Sequence, residues 1–459
     1  MTQQTESSGL ALEPPSPAPG REENSPPRKR PRTKAPQPTA SNLLTDVVPK
    51  STAPAPSAQP EGPTFCFSIQ PLHRFKGASA SIKRPREVTH FSFDDNHEYA
   101  YNDLGINYYV APPIGADLKE GFDTFKHHED RQDAHLDALL KALIDKEKEH
   151  GEGARPKADF VTWRGMMTKI MTAPFDYFAE FGMFATLYDG TIYIEEDFPS
   201  RATECAAEAN QPPPRYQHPD QQSRDMMTYW GYKFETLALI PTLPASTPPQ
   251  EIEKYQRSIV SNHAQHCSIV STSFGPHNLI LGGEVDGLLA RKPQNPEAPV
   301  QWVELKTAEE LPPPAHQQHR DILKFERKLL KFWAQSFLLG VPKIIVGFRS
   351  KAGILRGLQT FNTHELPGMV RRGTNCWDGN VCINFATEFL GWLKETVTEE
   401  GVYSIVLRKK SGVVEVKKVK EGTGGIVSEE FLAWRKSKIQ GQMAEKKGGA
   451  TNPATPAET

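Results

Sequence analysis

Two short stretches, LGGEVDG at residues 281–287 and WVELKT at residues 302–307, decide the fold of this chain. They lie within the apolar, strand-like runs Leu279–Leu289 and Val300–Lys306, which are separated by a polar, proline-containing turn at Arg291–Ala298. Successive side chains of a strand point to opposite faces. The sequence therefore predicts two neighbouring strands, each with charged side chains on one face and apolar side chains on the other.

The charged faces of these strands suggest a site for divalent cations. If the strands pair in register, Glu284 and Asp286 meet Glu304 and Lys306 in one patch. Three carboxylates at close range raise one another's pKa. Mg²⁺ or Mn²⁺ would relieve this repulsion, because both ions prefer oxygen ligands. The alternative is two amphipathic strands with solvated charged faces.

Such a patch has the chemistry of phosphate displacement. Two divalent ions can hold the attacking and the leaving oxygens, while the lysine orients or activates water or neutralises phosphate charge. An acidic residue followed by a Glu-x-Lys strand, here Glu304 and Lys306, is the arrangement of the PD-(D/E)xK nuclease core.

Two further segments bear on this interpretation. Glu235 lies among mostly apolar neighbours and is either a satisfied buried acid or a fourth metal ligand. Lys328, Lys331 and Gln335 are three and four residues apart and share one side of a predicted helix. Facing the patch, they would contact phosphates or a base; facing water, they would be the polar side of an amphipathic helix.

Composition limits the classes of protein that remain. The chain has 459 residues, with 54 Lys and Arg against 56 Asp and Glu, so a protein coated in basic charge is excluded and any nucleic-acid site must be local. Five scattered cysteines give neither a disulfide framework nor a zinc pattern. No window approaches the roughly 18 apolar residues of a membrane span.

The sequence predicts one folded domain between two disordered ends. Residues 1–62 are rich in proline and lack a hydrophobic period, and they contain five cations within Arg28–Lys34, which we interpret as a nuclear import signal rather than an ordinary solvated charge run. Residues 63–436 would form the domain and 437–459 a polar tail. Strands alternate with helices in the middle of the chain, so we expect a mixed α/β fold.

Outside the two acidic strands, the main predicted elements are helices at Asp133–Lys148, Trp163–Thr172, Asp225–Leu239 and His319–Leu339, strands at Thr186–Ile194 and Lys343–Arg349, and a hairpin at Tyr403–Val419.

Six motifs occur in the order of a known family. They are Trp163-Arg164-Gly165, Gly231–Glu235, Gly283–Asp286, Val303–Thr307, Lys328–Phe337 and Val346–Arg349. Together they resemble the DXO family of RNA 5′-end decapping enzymes over about residues 80–410. The basic run makes the chain similar to the fungal nuclear branch, whose members partner a nuclear 5′-to-3′ exoribonuclease.

The resemblance implies a fold and a set of site residues. The fold would be two mixed β-sheets flanked by helices, related to PD-(D/E)xK nucleases. The implied metal ligands, for Mg²⁺ or Mn²⁺, are Glu235, Asp286, Glu304 and the carbonyl of Leu305. The implied catalytic and substrate-binding residues are Glu284, Lys306, Trp163, Arg164, Gly165, Cys267 and Gln335.

The resemblance also implies an activity: metal-dependent hydrolysis at RNA 5′ ends in nuclear RNA quality control. The substrates would be 5′-triphosphates, incomplete guanosine caps and NAD caps, with possible degradation of the RNA that follows. A different class of function is a non-catalytic stabilising subunit of the exoribonuclease. Candidate docking surfaces are the basic hairpin Arg408–Lys420 and the outer loops, and the alternative for the hairpin is an ordinary solvated one. A DNA nuclease would share the acidic core but leaves the Arg164 and Gln335 motifs without a role.

Overall fold

The computed structural model describes residues 63–129, 132–151, 155–209, 222–295 and 298–448. Contacts between residues divide the chain after Gln59, and all described residues belong to the second unit. The predicted leader with its basic run and the last eleven residues of the predicted tail, 449–459, lie outside the described residues.

The described residues contain sixteen strands. They are β1 (Thr64–Ser68), β2 (Ile82–Phe93), β3 (Tyr99–Ala100), β4 (Tyr108–Tyr109), β5 (Phe160–Trp163), β6 (Phe181–Tyr188), β7 (Thr191–Glu196), β8 (Leu239–Ile240), β9 (Gln265–Phe274), β10 (His277–Glu284), β11 (Gly287–Leu288), β12 (Trp302–Glu309), β13 (Lys343–Arg349), β14 (Leu355–Asn362), β15 (Val402–Leu407) and β16 (Val413–Lys420).

These strands form two mixed sheets. The larger has ten strands in the order β1-β16-β15-β6-β7-β5-β10-β9-β2-β3, and the smaller has six in the order β14-β13-β12-β11-β4-β8. Both contain parallel as well as antiparallel pairs: β5 is parallel to β10 in the first, and β12 is parallel to β13 in the second. The mixed α/β class predicted from the sequence is confirmed.

The described part of the chain also contains nine α-helices. They are α1 (Asp137–His150), α2 (Arg164–Thr172), α3 (Phe198–Ala209), α4 (Arg224–Ala238), α5 (Pro249–Gln256), α6 (His319–Leu339), α7 (Leu366–Arg372), α8 (Gly379–Thr396) and α9 (Glu429–Gly448).

The helices and sheets pack in layers around three apolar cores. The largest core joins the ten-stranded sheet to the six-stranded sheet through α2, α6 and α8, with Trp333 and Phe385 fully buried. A second core lies between α1, α9 and the other face of the larger sheet. A third lies between α4 and the other face of the smaller sheet, where Phe234 packs near Val303 and Leu305.

The ends of α6 and α4 follow from local sequence. Gln318 and Asp321 form a capping box that begins α6, and Gly340 ends it in the left-handed region at φ 72°. The Ser223 side chain accepts a hydrogen bond from the Met226 amide and begins α4. The predicted bounds of α6 are confirmed, and those of α4 are right to within one residue.

Two strand predictions were wrong. The run Thr186–Ile194 is a hairpin of β6 and β7, because Asp189 and Gly190 both take positive φ and turn the chain. The run Leu279–Leu289 is divided between β10 of the larger sheet and β11 of the smaller. Glu284 and Asp286 therefore do not share one strand face, and of β10 and β11 it is β11 that pairs with β12.

The C-terminal region agrees with the sequence in one respect and differs in another. The predicted hairpin is formed by β15 and β16. The last helix, α9, extends to Gly448, beyond residue 436, where the sequence predicted that a tail begins. Its first turns bury Phe431 and Leu432 against the second core, which holds the helix to the domain.

Among the described helices, none is long and apolar enough to cross a membrane.

Candidate active site

A cleft of about 230 Å³ lies where the two sheets meet α4. Glu284 stands at the end of β10, and Asp286 lies in the short link that carries the chain to β11 in the other sheet. Glu235 reaches the same cleft from α4. Glu284 and Asp286, which the sequence placed on one strand face, therefore lie on two different elements, and Glu235 joins them from a third.

Glu304, in the middle of β12, lies next to this cleft and is 1% exposed. Lys306 Nζ lies 2.6 Å from its Oε1, and Arg164 Nη1 lies 3.5 Å from its Oε2. Burial alone would raise the pKa of Glu304, but the charges of Lys306 and Arg164 outweigh it and hold that pKa below its ordinary value. Burial would lower the pKa of Lys306, yet Glu304 and Asp286 raise it. Both groups are therefore charged at neutral pH.

Arg164 reaches Glu304 because β10 contains glycine where α2 crosses it. A Cβ atom added at Gly283 would lie 3.0 Å from Arg164 Cβ and 2.9 Å from Leu339 Cδ1. Arg164 is the first residue of α2, and its side chain is 16% exposed. Its Nη1 is buried and makes no hydrogen bond among the described residues; its nearest partner is Glu304 Oε2, at ion-pair distance.

Asp286 is held by the backbone of the Glu-x-Lys strand. Its Oδ2 accepts a hydrogen bond of 2.6 Å from the Leu305 amide. Burial and the Glu304 carboxylate nevertheless raise the pKa of Asp286 to about 7. The link between the two sheets is thereby fixed at the residue that carries this acid.

Glu235 and Glu284 are also shifted towards the neutral form. Burial, followed by the charges of Asp286 and Glu284, raises the pKa of Glu235 well above its ordinary value. Glu284 borders the open cleft, but dense surrounding protein still raises its pKa, against the opposing charges of Arg164 and Lys306. The cations present therefore do not neutralise the cleft.

The residues fit a divalent cation. Four acids face two cations, and the site carries an excess of negative charge when all of them are ionised: Glu235, Glu284, Asp286 and Glu304 against Arg164 and Lys306. Glu304 Oε2 is buried and lacks a hydrogen-bond partner among the described residues. Carboxylate oxygens are the ligands that Mg²⁺ and Mn²⁺ prefer.

The tightest group of metal-ligating side chains among the described residues lies elsewhere. Ligand atoms of Asp133, His135 and Glu195 lie within 4.8 Å of one another. Among the described residues, the acids of the cleft do not come this close together. His135 Nδ1 lies 3.0 Å from Glu195 Oε2, so the two side chains pair directly. The sequence analysis missed this group, because 60 residues separate His135 from Glu195 and no local spacing connects them.

Trp163 ends β5 directly before α2 and packs into the fold. Its indole Nε1 donates to the His135 carbonyl at 3.1 Å, and its ring lies over Gly282, where an added Cβ would come within 2.9 Å. Gly165, two residues after Trp163, is exposed, with open space beside its Cα. The roles predicted for these two residues in substrate binding stay predictions.

The other two predicted substrate contacts lie on different elements. Cys267 pairs with Glu284 across β9 and β10, and it is 4% exposed, so burial raises the pKa of its thiol. Gln335 is half-buried on α6. On the same helix, Lys328 Nζ donates to the Thr307 carbonyl at 2.7 Å, whereas Lys331 pairs with Asp176 at 3.2 Å.

Comparison with known proteins identifies the family. A family model described as RAI1 like PD-(D/E)XK nuclease matches residues 83–432. The chain belongs to this family. The match spans the cleft and all of its acids, and it confirms the family that the six motifs suggested.

Relatives of the RAI1-like nuclease family resemble most of the chain. Decapping nuclease RAI1 of Emericella nidulans is 47% identical over 371 residues, covering 80% of this chain and 98% of the relative. Decapping nuclease RAI1 of Aspergillus fumigatus is 48% identical over 375 residues, covering 80% and 98%.

Solved structures of RAI1-like nucleases share the fold. Candida albicans Rai1 in complex with pU5-Mn²⁺ has a TM-score of 0.70 at 27% identity, covering 81% of this chain and 99% of that one. Scheffersomyces stipitis Rai1 in complex with (3′-NADP)⁺ and calcium ion has a TM-score of 0.70 at 25% identity, covering 81% and 100%.

Proposed function

We propose that this chain is a decapping nuclease that hydrolyses phosphate linkages at RNA 5′ ends with Mg²⁺ or Mn²⁺. The observation that carries the proposal is the convergence of three acids with two cations in and directly beside one cleft: Glu235, Asp286 and Glu304 with Lys306 and Arg164. The relatives named decapping nuclease, and the Rai1 structure with pU5 and Mn²⁺, support the same substrate and metal.

The carboxylates would hold the cation. Glu235, Asp286 and Glu304, with the Leu305 carbonyl, supply hard oxygen ligands, and Glu284 lies beside them on the wall of the cleft. The bound ion would polarise the phosphate and lower the pKa of a bound water. The excess of negative charge among the acids supports this assignment.

Lys306 and Arg164 would act on the substrate. Lys306 keeps its proton because Glu304 and Asp286 raise its pKa, so it would donate a hydrogen bond to the attacking water or to a phosphate oxygen rather than accept a proton. Arg164, whose Nη1 pairs with Glu304, would hold the 5′ phosphates with its other N–H groups, since a guanidinium can contact two phosphate oxygens at once.

A direct experiment is end analysis of RNA incubated with the purified chain and Mg²⁺ or Mn²⁺. The substrates would carry a 5′-triphosphate, an unmethylated cap, a methylated cap or an NAD cap. We expect pyrophosphate or cap removal from at least one substrate, and loss of it with chelator, in Glu235→Ala and in Asp286→Ala. Unchanged ends on every substrate, or full activity in both variants, would refute the proposal.

We also propose that the chain binds a nuclear 5′-to-3′ exoribonuclease, through the basic hairpin and an adjoining aromatic surface. Tyr177 and Phe178 are 70% and 62% exposed, and Tyr177 lines a cavity of about 380 Å³ with Arg408 and Lys410 at the hairpin turn. Exposed aromatic side chains beside cations are typical of protein interfaces. This surface supports a stabilising role that could coexist with catalysis.

Binding to the exoribonuclease can be tested separately from catalysis. We expect Tyr177→Ala combined with Phe178→Ala, and separately Lys410→Glu, to weaken retention of the purified exoribonuclease while leaving 5′-end hydrolysis unchanged. Leu104→Ala, which removes a large apolar side chain that is 84% exposed elsewhere, is the matched control. Unaltered retention in both hairpin-surface variants would exclude this surface.

A further inference from the structure

A second cavity, of about 690 Å³, lies behind the helix that carries Glu235. Tyr232 and Glu235 on α4 line the active-site cleft, whereas Tyr229 and Lys233 line this second cavity. Positions four apart share one side of a helix. The two spaces are therefore on different faces of α4.

Lys233 is the unusual residue of this cavity. It is 5% exposed, and among the described residues no hydrogen bond or ion pair reaches it. The Lys233 Nζ is not fully enclosed, so the ammonium meets the cavity rather than a protein partner. Because Lys233 lines the cavity, the space in front of it is where a compensating negative charge can lie.

The other charged residues of the cavity do not compensate Lys233. Arg257 Nη2 lies 2.6 Å from Glu253 Oε1, so these two side chains neutralise each other. Glu120 is exposed; its carbonyl accepts a hydrogen bond of 2.6 Å from Tyr229, and its carboxylate lies near enough to act on the Tyr229 hydroxyl, but no ion pair joins it to Lys233. Among the described residues, the Lys233 ammonium therefore has no direct partner in the cavity.

Apolar walls complete the site. Leu237 on α4 and Val260 after α5 are buried, and Ala116 and Pro113 close the opposite side. A volume of about 690 Å³ falls in the range of small-molecule sites, about 300–1,000 Å³. A deep cation at one end of a partly apolar cavity suits a ligand that is itself anionic at one end.

We propose that this cavity binds a small organic anion, whose carboxylate or phosphate pairs with the Lys233 ammonium and whose apolar part lies against Leu237 and Val260. Either anionic group has the required charge and acceptor oxygens. The site lies on another face of α4 from the active-site cleft, with Ser258 and Ile259 bordering both spaces, and the proposal does not depend on the proposed activity.

The test is calorimetric titration of the full chain, in chelator, with AMP and benzoate as anionic probes and with adenosine and benzyl alcohol as their uncharged counterparts. We expect binding of at least one anion, weakened about tenfold or more in Lys233→Met and retained in Lys233→Arg, because a charge-assisted hydrogen bond is lost in the first variant only. Arg164→Met, in the active-site cleft, should leave this binding unchanged.

A second measurement does not depend on how Lys233→Met folds. Thr124 is exposed at the cavity, so Thr124→Asp would add a negative charge there and should weaken anion binding, whereas Thr124→Val should not. The proposal is overturned if no probe binds, if the uncharged probes bind as tightly as the anions, or if binding is lost in Arg164→Met and kept in Lys233→Met or Thr124→Asp.

Discussion

At the scale of single residues, the cleft depends on one carboxylate with two cationic partners. Glu304 is buried between Lys306 and Arg164, and their charges keep it ionised while Asp286 and Glu235 shift towards the neutral form. The sequence predicted the pairing of Glu304 with Lys306 from strand alternation. The contact with Arg164 could not be predicted, since 140 residues separate them.

Replacing Glu304 tests this arrangement. We expect Glu304→Gln to lower turnover at RNA 5′ ends by about 10²-fold or more, because a metal ligand and the partner of Lys306 lose their charge. The free energy of unfolding should also fall, by no more than about 3–5 kcal/mol, because Lys306 and Arg164 lose a buried charged partner. Turnover comes from end analysis and stability from urea denaturation.

Glu309→Gln is the control for this substitution. Glu309 ends the same strand and forms an exposed ion pair with Lys324 at 3.3 Å. Loss of this pair should change neither turnover nor the free energy of unfolding measurably. A folded Glu304→Gln variant with wild-type turnover would contradict the assigned role.

At the scale of elements, the close approach of α2 to β10 sets the position of Arg164. Gly283 leaves room for the Arg164 side chain, and Trp163 holds the start of α2 through the His135 carbonyl. The sequence predicted both the strand that carries this glycine and a helix at Trp163–Thr172, but not that the helix crosses the strand at Gly283.

Substituting this glycine should disturb both packing and substrate binding. In Gly283→Ala, the new Cβ would press on Arg164 and Leu339, which are backed by α2 and the main core. We expect a loss of about 1–3 kcal/mol in the free energy of unfolding and a raised KM for 5′-triphosphate RNA. Gly357→Ala on β14, where an added Cβ meets open space, is the control and should change neither. If Gly283→Ala and Gly357→Ala had the same unfolding free energy and the same KM, the packing role of Gly283 would be contradicted.

The pair of His135 and Glu195 joins the start of α1 to β7 and should make stability depend on pH. Burial raises the pKa of Glu195 to about 7. Burial opposes protonation of His135, but Glu195 outweighs it and raises the His135 pKa above 6.5. The folded pair therefore binds more protons than the unfolded chain between about pH 5 and 8, and the free energy of unfolding should fall as pH rises through this window.

Glu195→Gln tests this dependence. We expect the free energy of unfolding, measured by urea denaturation in chelator, to fall less across this window in the variant than in wild type. The difference should be on the order of 1 kcal/mol. Glu415→Gln, on an exposed strand pair with Arg408, should keep the wild-type slope. Identical slopes for Glu195→Gln and wild type would contradict the prediction.

At the scale of the whole molecule, the domain supplies the cleft and the hairpin surface, while the basic run lies in residues 1–62, outside the described part. Five cations within seven residues, in a leader without hydrophobic period, still favour nuclear import. Location in the cell is thus a property of the chain that the fold itself does not determine.

A fluorescent fusion tests nuclear import. We expect the full chain to accumulate in the nucleus and the triple variant Lys29→Ala, Arg30→Ala and Arg32→Ala to lose that accumulation by several-fold, because importins recognise clustered cations. Glu22→Ala with Glu23→Ala, in the same leader, should behave like wild type. Equal nuclear signal in both variants would show that the run has no such role.

The sequence by itself determined the helices α4 and α6, the Glu-x-Lys strand, the mixed α/β class and the family, because periodicity, caps and ordered motifs are local. Tertiary structure decided that the chain changes sheets between Glu284 and Asp286, that Arg164 reaches Glu304, and that α4 carries Glu235 and Lys233 towards different cavities. These features depend on contacts between residues distant in the chain, and no spacing along one sequence specifies such contacts.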